Sequence, residues 1–296
     1  MHLRSILLSL SVAGLSIAHA QDHEWWARNV GWNGSDPWMN YLQLSPAHMG
    51  PNALPVPEMH WIDRDSTSWF MGQAQVFLHQ QEITVASRLA LLWRPSPWFR
   101  FRAHVVPVEW FETSHDLKTD RRIFHENYDD RIAGGDIHVE SFFTLPWRLF
   151  RGGGPEVRIA VKTASGTNLG SARYTDTPGY TFSVSDRWQL SPEHAIEAML
   201  GLFVYQTYSE LHRQNDCFLW GAGHSWSIGK FRLFHAVRGY QGYLRNGDAP
   251  VVYDAEFNYR AGPRSEFHLG AGVGINDHPF RSIAIGLRWH FKAEYS

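Results

Sequence analysis

Residues 281–291 read R-S-I-A-I-G-L-R-W-H-F. In an extended chain successive side chains point to opposite sides. Ile283, Ile285, Leu287, Trp289 and Phe291 therefore share one face, and Ala284, Gly286, Arg288 and His290 share the other. One face is large and apolar; the other is small or charged. A strand built this way needs partners on both edges and something other than bulk water against its apolar side.

Working back from it, the same pattern recurs from residue 66 onward. Runs of about 10–14 residues alternate apolar and polar positions between turn residues. They fall at 67–79, 82–93, 98–111, 131–145, 156–165, 179–190, 194–206, 216–228, 231–242, 250–260, 264–275 and 281–291. That makes about twelve, an even number, as a barrel with both termini on one side requires. The connections alternate too. Arg94-Pro95-Ser96-Pro97, Pro146 to Pro155, Ser191-Pro192-Glu193, Gly229-Lys230 and Ala261-Gly262-Pro263 are mostly short. The links at 112–130, 166–178, 207–215, 243–249 and 276–280 are mostly longer, and 80–81 is an exception. Short periplasmic turns and long outer loops are the habit of transmembrane barrels. Trp93, Trp188, Trp226 and Trp289 sit on apolar faces near the short-turn end or the C-terminus, where an interfacial aromatic girdle belongs, with Tyr180 and Tyr253 near the other rim. The expected fold is all-β: a closed antiparallel transmembrane β-barrel of about twelve strands over 66–296. A large soluble barrel or sandwich is the alternative.

The spacing of Gly286, Trp289 and Phe291 resembles the terminal insertion signal of bacterial outer-membrane β-barrels, although Lys292 to Ser296 follow the last aromatic. The Pro-rich passage S-P-A-H-M-G-P-N-A-L-P-V-P-E-M at 45–59 resembles segments of Gram-negative outer-membrane proteins. What the resemblance implies is insertion by the barrel-assembly machinery and contact with outer-membrane lipids. The N-terminus agrees: Arg4, an apolar run from Ile6 to Ile17, then Ala18-His19-Ala20, reads as a signal peptide over 1–20 rather than a membrane anchor. Removing it takes the formal charge from −2 to −3, with no basic excess to suggest nucleic acid. Cys217 is the only cysteine, so no internal disulfide forms. No later window is apolar enough for a membrane helix.

Residues 21–65 stand apart, with Trp25, Trp26, Trp32 and Trp38 ahead of the prolines. Proline forbids regular ladders there. The expectation is an ordered extended segment that plugs the lumen or braces the barrel from the periplasm, against a floppy leader as the alternative.

The polar faces define an expected lumen: Arg100, Arg102, His104, Asp136, His138, Glu140, Arg187, Glu197, Asp254, Glu256, Arg260, His268 and Arg288. Turn arithmetic sets Arg187 opposite Glu197 and Glu256 opposite His268. Arg100, Arg102 and His104 are expected to meet Asp136, His138 and Glu140. Pro107, with no N–H, is expected to mark a bulge after which Val108 and Trp110 turn outward and Glu109 inward. If Gly229-Lys230 is a two-residue turn, His224 opposes His235 on the apolar face and Trp220 covers Gly239. That histidine pair suits a lipid headgroup, another subunit or a metal, or simply a mutual hydrogen bond.

No catalytic signature is present: no G-x-S-x-G, H-E-x-x-H, Walker loop or Cys/His array. Asp136, His138 and Glu140 share a strand face, which admits a metal or acid–base site, but balanced lumen lining is favoured. His224 and Ser225 are adjacent and point to opposite faces, unlike the His-x-Ser arrangement of outer-membrane phospholipases. The loop 166–178, with Arg173 and Asp176, suits an anionic headgroup or plain solvation. No cofactor is expected. The leading expectation is a narrow channel or small-solute transporter with a mixed-charge lumen. An outer-leaflet lipid hydrolase and a structural or adhesive barrel, with loop 112–130 as its contact surface, are the alternatives.

Overall fold

The computed structural model describes residues 23–59, 67–124, 131–146, 154–210 and 212–292. The signal stretch 1–20 and residues 293–296 therefore lie outside the described residues. The strands are β1 (Thr67–His79), β2 (Glu82–Ser96), β3 (Phe99–Thr113), the two-residue β4 (Ile132–Ala133), β5 (Ile137–Thr144), β6 (Glu156–Lys162), β7 (Gly179–Gln189), β8 (His194–Gln206), β9 (Gln214–Ile228), β10 (Phe231–Gln241), β11 (Val251–Arg260), β12 (Ser265–Asn276) and β13 (Arg281–Lys292). Every neighbouring pair is antiparallel, and β1 pairs with both β2 and β13, so the sheet closes on itself. β4 only clips onto β3, leaving twelve strands in the ring. Closure pairs every strand's backbone polar groups and leaves no free edge.

The expected run 131–145 divides at Gly134-Gly135-Asp136. Glycine is needed at 135 because a Cβ there would sit 2.9 Å from Val106 and from the Tyr174 hydroxyl. The turn after β2 is tighter than expected. The ladder runs on through Arg94 and Pro95 to pair Ser96 with Phe99, leaving Pro97-Trp98 as the link. The turn after β11 lies one residue further on than expected: Ala261 donates to Ser265, so the three turn residues are 262–264 rather than 261–263. That shifts the register and overturns one expected pair. Glu256 faces Gly270, and His268 faces Asn258.

Alternation decides the two faces. On β13, Ile285, Leu287 and Trp289 are 64%, 45% and 50% exposed, while Ala284 and His290 are 7% and 3%. The other strands repeat this, with Leu200, Leu202, Phe218, Phe257 and Leu269 exposed. A continuous belt of that size is too large for a water-facing surface and matches the hydrocarbon band of a membrane barrel. Trp93, Trp226 and Trp289 are exposed at the short-turn end, and Tyr180 and Tyr253 nearer the long-loop end. At Pro107 the ladder slips between Ser87 and Leu89. Val106 is buried, Pro107 and Val108 are both exposed, and Glu109 is fully buried.

The segment before the barrel is not wholly extended. His23–Val30 is a helix, α1, and Trp38–Tyr41 is a 3-10 turn. Both sit among the long loops. The Trp26 indole N–H donates to the Arg122 carbonyl at 2.8 Å, beside a short helix, α2 (His115–Asp120). Gly50 donates to Ala172 at 2.8 Å, and Ala47 to Gly247. From there the chain descends inside the ring, and β1 starts at the short-turn end. Residues 43–59 thus run through the lumen.

Candidate functional site: the lumen and its resident segment

Two different walls hold that segment. Met49, Ala53, Leu54, Val56 and Met59 are buried against Met199, Phe203 and Tyr205 of β8, Leu219 of β9, and Phe234 and Tyr240 of β10. A Cβ on Gly221 would lie 3.2 Å from the Met59 sulfur, so the missing side chain is what lets the segment lie close to β9. This half of the lumen is packed like an ordinary protein core.

The opposite half is ionic. The Glu58 carboxylate is paired with Arg88 of β2 and, at 2.9 Å, with Arg102 of β3. Arg158 of β6 donates to the Glu58 carbonyl. Behind them Glu140 of β5 accepts from Arg102 and lies against Arg158, both at 3.1 Å. At the margin of the apolar half, Arg238 of β10 adds a polar hold: it donates to the Val56 carbonyl and pairs with Asp254 at 2.7 Å. Between this wall and the segment is a cavity of about 270 Å³.

Most residues expected to line the lumen lie here, with different partners in places. Arg102 faces Glu140, His104 faces His138, and Arg100 faces Phe142. His104 and His138 stack with centroids 4.4 Å apart. Arg100 reaches past to Glu156. Asp136 pairs with Lys162 at 2.5 Å, so the Asp136/His138/Glu140 trio is divided among three partners and does not converge. Arg187 faces Glu197, with nitrogen and oxygen 3.8 Å apart. Asp254, Glu256 and His268 border the cavity. Arg288 does so too, paired with Glu266 and lying over the Trp69 ring at 4.6 Å. Arg260 is half-buried and away from the cavity. The sequence reading omitted Glu58, Arg158, Lys162, Arg238 and Glu266. The last four lie at inward positions of their strands, so alternation alone would have found them. Glu58 lies in a proline-rich stretch with no period to read.

The long-loop end is sealed by a second buried network. Arg173, on the loop 163–178, is fully buried and bonds to Glu82 and Glu109 at 2.7 and 2.8 Å, and to Thr84 at 2.9 Å. Burial alone would lower the Arg173 pKa, but the two carboxylates outweigh it and push it up. Tyr174 donates to Glu109 at 3.1 Å, Asn52 of the segment donates to the same carboxylate, and Arg121, the residue that follows α2, pairs with Glu82. Of the two readings of this loop, an outside anion or plain solvation, neither describes Arg173, which is committed inward.

His224 faces His235 as the two-residue turn requires, at 3.2 Å between ring nitrogens, and His194 joins the chain at 3.1 Å. Trp220 faces Gly239. His194 stacks on Trp226. The three histidines lie at the short-turn end of the outer face, in file. Among the described residues no group of three or more His, Cys, Asp or Glu side chains is placed to hold a metal ion. An outer-leaflet hydrolase would need its histidine at the other rim.

No family model matches the sequence, and no curated protein matches it either. Solved structures do resemble it in fold. An outer-membrane channel from Pseudomonas putida F1 superposes with a TM-score of 0.56 at 8% identity, covering 81% of this chain and 97% of that one. The NanC porin superposes at 0.51 with 10% identity, covering 74% and 98%. At these identities the likeness is one of architecture: the chain has the closed, porin-like fold of outer-membrane β-barrels.

Proposed function

We propose that the protein is an outer-membrane channel for small solutes, exported by its signal peptide and held closed by its own N-terminal segment. In this reading the long loops face the exterior, the short turns face the periplasm, and residues 21–65 are the plug. One observation carries it: a charged wall borders an open cavity inside a ring of channel-type fold, with the segment occupying the rest of the lumen. Selectivity falls to Arg88, Arg102, Glu140, Arg158, Asp254 and Glu256. The test is conductance in planar bilayers. The full chain should give small or infrequent openings. Leu54→Asp with Val56→Asp, which put carboxylates into the apolar contact, should raise conductance severalfold. If both proteins fold, as judged by heat-modifiable migration, and both stay silent, the channel reading fails. A structural barrel, favoured by the sealed long-loop end, would then take its place.

A further inference from the structure

We infer that the Glu58 carboxylate occupies an anion subsite of the lumen, and that the solutes admitted are small organic carboxylates. This rests on the channel reading for its biological sense, but its binding titration needs no open pore. The carboxylate is gripped in the manner of a bound anion: one oxygen on Arg88, the other on Arg102, and the adjoining carbonyl on Arg158. Two arginines on one carboxylate is the geometry by which proteins recognise carboxylate ligands. Those arginines belong to the barrel wall; the carboxylate belongs to a segment that is not part of the ring. Glu58 is also much less buried than its partners, with its side chain 31% exposed against 11% for Arg88 and 6% for Arg102. Arg88 and Arg102 themselves border the cavity, so a solute that displaces the Glu58 carboxylate meets the same two guanidinium groups.

Charge balance points the same way. Among the described residues, eight Arg and Lys side chains of the wall border the cavity against four Asp and Glu. Adding Glu156 and Glu266, which pair with Arg100 and Arg288 just behind, still leaves the cations two in excess. Glu58 offsets one of them. When its carboxylate leaves, Arg102 and Arg158 keep Glu140 between them, and Arg88 loses the carboxylate it is paired with. That asymmetry favours a carboxylate as replacement and disfavours a polyamine.

The experiment is calorimetric titration of the detergent-solubilised full chain at low salt with citrate, inorganic phosphate and spermidine. Glu58→Gln should bind citrate at least tenfold tighter than the unaltered protein. Adding Arg102→Gln to it should remove that gain, and spermidine should bind neither. Citrate affinity unmoved by Glu58→Gln, or spermidine binding in its place, overturns the subsite. Phosphate binding equal to citrate overturns the carboxylate assignment. Should Glu58→Gln fail to fold, the reversal potential of the unaltered protein in a tenfold KCl gradient decides. Anion preference supports the subsite, and cation preference sinks it. A silent bilayer together with citrate binding would remove the channel reading and leave the subsite standing.

Discussion

β8–β10 and β2–β6 face each other across one lumen and hold the same segment by different physics. The first wall holds it through apolar burial, which is non-directional and tolerates small shifts of the partner. The second holds it through ion pairs, each of which must be matched because an uncompensated charge in a closed interior is costly. The difference teaches where the segment is fixed and where it is tunable. Its grip comes from Leu54, Val56 and Met59, and its register from Glu58, Asn52 and the carbonyls that Arg158 and Arg238 reach. On the proposed reading, opening has to release the second set without dissolving the first.

The contrast predicts its sharpest break at Arg173. Arg173→Ala leaves Glu82 and Glu109 buried with one cation fewer, at a cost of about 3–5 kcal/mol. The temperature of the heat-modifiable band shift should fall strongly, and the loop 163–178 should become open to protease. Leu54→Ala, on the apolar side, makes a void at a site only 2% exposed, for about 2–5 kcal/mol. If it lowers that temperature more than Arg173→Ala does, the ranking of the two walls is wrong. Tyr174→Phe removes one bond to a carboxylate that keeps Arg173 and Asn52, so about 1 kcal/mol is expected.

The ring was readable because two of its constraints are periodic. A strand face repeats every second residue, and short and long links alternate. From these follow the strands and the Arg187–Glu197 and His224–His235 registers, while the slip at Pro107 was legible from proline's missing N–H. Glu256 opposite His268 failed because Pro263 suggested that the turn ends there, whereas Arg264 belongs to it and Ala261 still pairs, with Ser265. A three-residue turn moved on by one residue slides the pairing by two positions along the strand and leaves each side chain on its own face. Alternation alone could not detect the error. The site was less readable than the ring for a physical reason. Which arginine meets which carboxylate depends on how far each side chain reaches across the lumen, as Arg100 does to Glu156 past its neighbour Phe142. Nothing periodic marks Glu58, whose position depends on the path of a proline-rich chain through space.

The smallest expected effect tests the same contrast by pH at the long-loop end. His278 lies between β12 and β13 and lines the cavity. Burial, then the charge of Arg238, lower its pKa from 6.5 to about 4, while Asp254 pulls the other way. The folded protein therefore keeps His278 neutral where the unfolded chain would protonate it. Because the folded pKa is the lower one, stability is full above 6.5 and falls as pH drops from there toward 4. Between pH 7 and pH 6 the loss from this group is about 0.7 kcal/mol. His48, on the segment among the loops, is also lowered, chiefly by burial, and adds in the same direction. His278→Gln should flatten the dependence of the band-shift temperature over this range without abolishing it, since His48 remains. A steeper dependence in His278→Gln would mean that the histidine is charged in the folded lumen. The cationic wall would then extend to the loop end and tighten on Asp254 as the pH falls.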